Sequence, residues 1–167
     1  MSGSYIFLIH LLGFSLISAA VIAGWILNIR FSSEKELTLK LYVGGLMRPI
    51  GLLSPLAGLI LLLSGIGNIY NLYYETPVYW YQQGWLVVKI ILFGVMVVNG
   101  SLFGPAMTRK RLTIVKTILD EGETEERTKQ VSELNRQIHW FFLVQTVLLI
   151  GIVIFSAFGT SKHPGYF

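Results

Sequence analysis

Four long apolar segments alternate with polar connections along this chain of 167 residues. The segments cover residues 5–29, 46–67, 84–107 and 139–159. Each has about 20 residues or more, which is enough for an α-helix to cross roughly 30 Å of hydrocarbon. Lipid offers the backbone no hydrogen-bond partners, so helices that satisfy their own backbone groups are the expected spanning form. The pattern predicts an all-α fold, a four-helix transmembrane bundle, in which residues 1–167 form a single integral membrane domain.

The two connections that follow the second and third spans differ in composition. Residues 68–83 carry six Tyr and Trp residues, whose amphipathic rings favour the headgroup level of a membrane. Residues 108–138 begin basic, become acidic at DEGETEE and end with mixed charge. Apolar positions recur there at helical spacing, first at Leu112, Val115 and Leu119 and then at Val131 and Leu134. This spacing predicts two polar helices that meet near Gly122 and continue the third and fourth spans.

The distribution of basic residues predicts how the spans are oriented. Eleven of the 13 Lys and Arg residues lie in residues 30–48, after the first span, or in residues 109–136, after the third. Residues 68–83 contain no Lys or Arg. By the positive-inside rule, both basic connections are cytoplasmic and both termini are extracytoplasmic. We therefore expect a multi-pass protein of the cell inner (plasma) membrane, with the lipid bilayer as its main partner.

Composition supports the membrane assignment and excludes several classes of site. Hydrophobic residues make up 53% of the chain and charged residues only 13%, against about 25% charged in a typical soluble domain. The net charge of +4 is accounted for by the topology signals, so no nucleic-acid partner is expected. The chain has no Cys, which excludes disulfides, thiolate metal sites and Fe–S clusters.

Two ionisable residues, His10 and Lys89, lie inside predicted spans, where such groups are costly and are candidates for function. Each lies roughly five residues, or about 8 Å, inside the extracytoplasmic end of its helix. The predicted orientation therefore places them at the same depth. If the first and third spans are neighbours, the two side chains can face one cavity.

The chemistry of these two side chains leaves several interpretations open. A neutral imidazole is a good ligand for iron, copper or zinc. A neutral amine can ligate iron or accept a proton, and a charged one can pair with a propionate. The pair therefore suits a haem or metal site, or a proton-transfer site. Alternatively, Lys89 extends its side chain to the headgroups and His10 bonds to a neighbouring helix.

Three stretches of the sequence carry a resemblance to a known family. They are IHLLGFSLISAAVIAGWIL in the first span, MRPIGLLSPLAGLILLLSG in the second and GWLVVK at the start of the third. Together they resemble the HemJ-type protoporphyrinogen oxidases and the wider set that includes CopD-like copper-resistance membrane domains. The resemblance extends over residues 5–159.

The resemblance implies a function and a set of site residues. HemJ-type enzymes bind haem b, oxidise protoporphyrinogen IX and are thought to pass electrons towards quinone. The family's essential His matches His10, the expected iron ligand, and its essential Lys matches Lys89, expected to bind the cofactor and to act in catalysis. Its basic residue in the second span matches Arg48 approximately, with Ser54 and Pro55 in place of Thr-Pro.

Two further hypotheses come from other functional classes. The chain can be a non-catalytic membrane subunit, packing as a homo-oligomer or in a larger assembly through the G-x-x-x-G motif of Gly100 and Gly104. It can also be a copper-handling module of the CopD-like type. The chain has only 4 Met residues and no M-x-x-M pattern, so copper transport has the least support from the sequence.

Overall fold

The computed structural model describes residues 2–74 and 79–162, with side chains described over 5–74 and 79–159. Its helices are α1 (Ser2–Ser33), α2 (Leu37–Tyr73), a short 3-10 helix (Trp80–Gln82), α3 (Gly84–Glu121) and α4 (Glu125–Lys162). No strand occurs among the described residues. The predicted all-α class is therefore confirmed.

Each of the four long helices is long and apolar enough to cross a membrane. The chain is thus a four-helix bundle of the kind found in multi-pass membrane proteins. The helices are also longer than a bilayer requires, since the 38 residues of α3 extend about 57 Å against roughly 30 Å of hydrocarbon. The surplus lies at the end that carries the α1–α2 and α3–α4 connections, which we call the basic end. We call the opposite end, with the α2–α3 connection, the aromatic end.

The helices pack in the cyclic order α1, α2, α3, α4. Packing is closest within the pairs α1–α2 and α3–α4, and contacts of α2 with α3 and of α4 with α1 close the ring. Helices α1 and α3 therefore lie diagonally across the bundle. The first and third spans are not adjacent, but diagonal helices still face a shared interior.

The bundle interior is apolar over the middle of its length. One core cluster takes a buried residue or more from every helix: Ile17, Ala57, Leu61, Met96 and Ile152. The outward faces carry many exposed Leu, Ile, Val and Phe side chains, which suits a surface covered by lipid. Each helix has protein on one side and hydrocarbon on the other. Both of its faces are therefore apolar, and it carries few charges.

The α3–α4 connection turns at Gly122, where the sequence predicted two helices to meet. Gly122 has φ +98°, a backbone conformation that glycine adopts without steric cost. The hydroxyl of Thr124 accepts a hydrogen bond from the Arg127 backbone N–H at 3.3 Å and so caps the start of α4. Arg127 also donates to the Gly122 carbonyl at 3.0 Å and pairs with Glu121, which holds the turn closed.

In the part of α3 that follows the third apolar segment, the buried positions differ from the predicted ones at one residue. Val115 is buried as expected, but Leu119 is 44% exposed and Ile118 packs inside instead. Ile118 and Val115 join Phe31 of α1 and Val43 of α2 in a second core cluster at the basic end. The inward face of α3 therefore follows the i, i+3 spacing here, and the α1–α2 turn covers it.

The G-x-x-x-G motif is used for packing within this chain. A Cβ atom added at Gly100 would lie 2.9 Å from Gln145 Nε2, and one added at Gly104 would lie 2.8 Å from Phe141 Cζ. Gln145 Nε2 also donates to the Met96 carbonyl across the same interface at 3.2 Å. Both glycines thus allow α3 and α4 to approach each other, and the motif does not provide a free surface for a second protein.

Candidate functional site

The His10 side chain is oriented by a hydrogen bond to the neighbouring helix. Its Nδ1 atom lies 2.9 Å from the Oγ atom of Ser64 on α2. The Ser64 hydroxyl donates its only hydrogen to the Ile60 carbonyl at 2.6 Å. Ser64 Oγ can therefore only accept from the imidazole, so Nδ1 carries the ring hydrogen and Nε2 keeps its lone pair.

The imidazole packs against α2 beside this hydrogen bond. A Cβ atom added at Gly65 would be 3.6 Å from His10 Cε1, an ordinary van der Waals separation. The Leu61 backbone provides a second hydrogen-bond partner close to the ring. One turn of α2 therefore fixes the ring of this half-buried residue, a support that is typical of metal-binding histidines.

Lys89 lies on the diagonal helix and is half-buried. Among the described residues it forms no hydrogen bond or ion pair. The nearest acidic residue along the chain at the aromatic end, Glu75, lies outside the described residues. The structure thus places the two ionisable residues that the sequence singled out at the same end of the bundle, on diagonal helices.

Trp85 adds an unsatisfied donor next to Lys89. The two residues are four apart on α3 and so share one face of the helix. The indole Nε1 atom is buried and finds no acceptor among the described residues. The ring itself is packed against α4, where a Cβ atom added at Gly159 would lie 2.6 Å from Trp85 Cζ3. A buried N–H without a partner costs free energy, and a ligand oxygen would satisfy it.

The polar groups of this cluster are one imidazole, one amine and one indole N–H. Within the described residues, no three His, Cys, Asp or Glu side chains come together in a group that could hold a metal ion. Haem iron brings four equatorial nitrogens of its own and needs only axial ligands from the protein. At this end of the bundle His10 offers one nitrogen ligand, and Trp85 offers an indole N–H that has no acceptor among the described residues.

Arg48 and His139 lie away from this cluster. Arg48 is exposed on α2, 16 residues or about 24 Å along the helix from Ser64. The structure therefore does not bring it to His10 and Lys89, and its cofactor role stays a prediction from the resemblance. His139 is exposed near the basic end, where its ring meets Trp25 edge-on at 5.9 Å.

The sequence analysis did not single out a buried arginine at the basic end. Arg111 is 0% exposed and contacts residues of the other three helices. Its Nη1 atom donates to Asn28 Oδ1 at 2.7 Å and to Asn135 Oδ1 at 2.9 Å. Its Nη2 atom donates to Met47 Sδ at 3.1 Å, and Phe31 lies under the guanidinium at 3.7 Å. The available signal was the spacing of Arg111 with Val115 and Ile118, all on one helix face.

Comparisons with known proteins identify no relative of this chain. No protein-family model, no curated protein and no solved structure matches it.

Proposed function

We propose that this chain is a haem b-binding redox protein of the inner membrane, similar to HemJ-type protoporphyrinogen oxidases. The observation that carries the proposal is the His10 imidazole, held by Ser64 so that Nε2 keeps its lone pair, with Lys89 at the same end of the bundle on the diagonal helix. A supported imidazole is the ligand that an iron porphyrin needs from a protein, and an intramembrane lysine is by default a candidate for function.

Each residue of the cluster has a distinct role in this proposal. His10 binds the iron through Nε2, and Ser64 keeps the ring in the orientation and tautomer that allow it. Trp85 donates its indole N–H to a propionate. When bound, the haem supplies one-electron chemistry. Taking electrons from protoporphyrinogen also releases protons, and the Lys89 amine is the base positioned to accept one. Quinone is the proposed electron acceptor.

The alternatives have less support from the described residues. The subunit hypothesis assigns the polar residues of the spans to helix contacts, and of its candidate contact residues Gly100 and Gly104 pack against α4 of the same chain. A copper-handling module would need a cluster of ligands, and the described part of the chain contains no group of three candidate ligands. The His10–Ser64 hydrogen bond is equally expected if His10 serves only to join two helices, and the experiments below distinguish the two roles.

The first test is a visible absorption spectrum of the full-length protein. It is expressed with added haem, purified in detergent, and measured oxidised and then reduced with dithionite. A Soret band that shifts on reduction, with sharpened bands at longer wavelength, is the expected result for haem b. A featureless spectrum in both states would overturn the haem assignment.

The hydrogen bond from His10 to Ser64 predicts a measurable loss of affinity. Ser64→Ala is expected to weaken haem binding by about 10- to 100-fold, because groups that orient a metal-binding histidine contribute about that much. Haem titration into the apoprotein measures the affinity. Ser18→Ala is the matched control, since Ser18 likewise donates to its own helix, to the Phe14 carbonyl at 2.8 Å. Equal affinities in the two variants would contradict the orienting role of Ser64.

The proposed role of Lys89 as a base predicts a loss of turnover. Lys89→Ala is expected to slow protoporphyrinogen oxidation by about 100-fold or more, the usual contribution of a positioned base. Porphyrin fluorescence follows the reaction. Lys116→Ala is the control, because Lys116 is exposed on the same helix. A Lys89→Ala protein with the parent's rate and haem content would exclude this role.

A further inference from the structure

The Arg111 guanidinium is a buried cation without a counter-charge in the described structure. The ion pairs found among the described residues are Arg30 with Glu34 and Arg127 with Glu121, and neither involves Arg111. The groups around it are two amide oxygens, a thioether and an aromatic ring. Charges that are buried in proteins are usually paired, so this arrangement leaves a charge to be balanced.

The hydrogen bonds of Arg111 leave one edge of the guanidinium poorly satisfied. A guanidinium has five N–H donors, and both Nη1 donors are used by the amide oxygens of Asn28 and Asn135. The Nε atom is buried and has no acceptor among the described residues. On the same edge, Nη2 meets only the Met47 sulfur, a weak acceptor. The Nε–Nη2 edge is the fork that binds the two oxygens of a carboxylate or phosphate.

We infer that the Nε–Nη2 edge of Arg111 binds an oxyanion, a phosphate or carboxylate group, which displaces the Met47 thioether. Methionine is suited to this exchange because its unbranched side chain has three rotatable bonds and repacks readily. An oxyanion would satisfy the free Nε donor, replace a weak acceptor with a strong one and balance the buried charge. Asn28 and Asn135 hold the fork in place for it.

This site is separate from the His10–Lys89 cluster. Asn28 lies 18 residues from His10 along α1, a distance of about 27 Å. Arg111 also lies just beyond residues 84–107, the third predicted span, and so near the level of the membrane surface. The oxyanion can therefore come from a lipid headgroup or from the aqueous phase, and the proposed haem function does not depend on it.

Thermal unfolding with inorganic phosphate tests the site. The full-length protein is purified in an uncharged detergent, and sodium phosphate replaces sodium chloride at constant ionic strength. We expect a saturable rise in Tm, from which an apparent dissociation constant is obtained. Met47→Ala should lower that constant about tenfold, because it removes the competing acceptor and opens space. Arg111→Gln should abolish the response, and Arg48→Gln, which removes an exposed neighbouring cation, should leave it unchanged.

A second arm distinguishes the source of the oxyanion. The same proteins are reconstituted in nanodiscs of phosphatidylcholine, with or without phosphatidylglycerol. Stabilisation by phosphatidylglycerol that needs Arg111, without a response to free phosphate, assigns the site to a lipid headgroup. A response to free phosphate assigns it to a soluble oxyanion.

Two results would overturn the inference. One is that neither free phosphate nor phosphatidylglycerol gives saturable stabilisation, in the parent or in Met47→Ala. Both of these proteins retain Arg111. The other is a response of equal size in the parent, Arg48→Gln and Arg111→Gln, since that would reflect the general stabilisation by phosphate, which is excluded from protein surfaces.

Discussion

Replacing His10 with alanine is expected to lower haem affinity by more than about 100-fold, since loss of a ligand exceeds the loss of its supporting hydrogen bond. The difference spectrum between reduced and oxidised protein should then almost disappear at micromolar haem. The bundle itself should persist, because His10 is only half-buried. Among the described residues, its ring is hydrogen-bonded to one side chain, that of Ser64. Far-UV circular dichroism checks that the helices remain.

Two controls make the result specific to this position. His139→Ala removes an exposed histidine at the other end of the bundle and should leave the spectrum unchanged. Added imidazole should restore part of the haem signal in His10→Ala, because it can occupy the space of the missing ring and supply the nitrogen ligand. A His10→Ala protein that keeps the parent's spectrum would remove His10 from the proposed site.

Replacing Asn28 with leucine is expected to destabilise the bundle by about 3 kcal/mol. Asn28 is 1% exposed and supplies one of the two amide oxygens that bond to the buried Arg111 guanidinium. The leucine leaves a buried cation with fewer acceptors, which is among the costliest single changes in a protein interior. By contrast, Arg111→Met removes the charge itself but leaves the Oδ1 atoms of Asn28 and Asn135 without this donor, so it should still destabilise the bundle, by about 1–3 kcal/mol.

The double variant separates the two effects. Asn28→Leu combined with Arg111→Met should be more stable than Asn28→Leu alone, because no cation remains to be solvated. Unfolding by SDS in mixed micelles, followed by circular dichroism, measures the free energies. Asn71→Leu, at an exposed position of α2, serves as the control for the substitution itself. If the double variant is no more stable than Asn28→Leu alone, the charge of Arg111 is not the source of the cost.

The fold was largely predictable because a membrane span depends on length and hydropathy, which are local properties of the sequence. The ends of the helices were less predictable. Residues 108–138 are polar yet mostly helical, so α3 and α4 extend beyond the apolar segments that hydropathy detects. The order of the helices around the bundle was not predictable. It depends on side-chain packing between segments far apart in the chain, such as the approach of Gly104 to Phe141.

The candidate site was predictable in part for a related reason. A charge in an apolar run is conspicuous, so His10 and Lys89 could be identified from the sequence alone. Ser64 could not, because its hydroxyl is one of several in the spans and its contact with His10 joins residues 54 apart in the chain. Arg111 was not singled out because Arg109 and Lys110 beside it carry the same charge, and only its helical spacing with Val115 and Ile118 separates it from them. The orientation of the bundle in the membrane stays a prediction.

The closer packing within the pairs α1–α2 and α3–α4 has a consequence for the insertion of the protein into the bilayer. Each pair is a helical hairpin joined at the basic end, so each can be inserted into the bilayer as one unit during synthesis. The Arg111 contacts need residues from both hairpins and can form only after the second has been inserted. Until then its guanidinium stays solvated at the membrane surface, and its burial marks completed assembly. We therefore expect Arg111 to be protected from arginine-modifying reagents only in the finished protein.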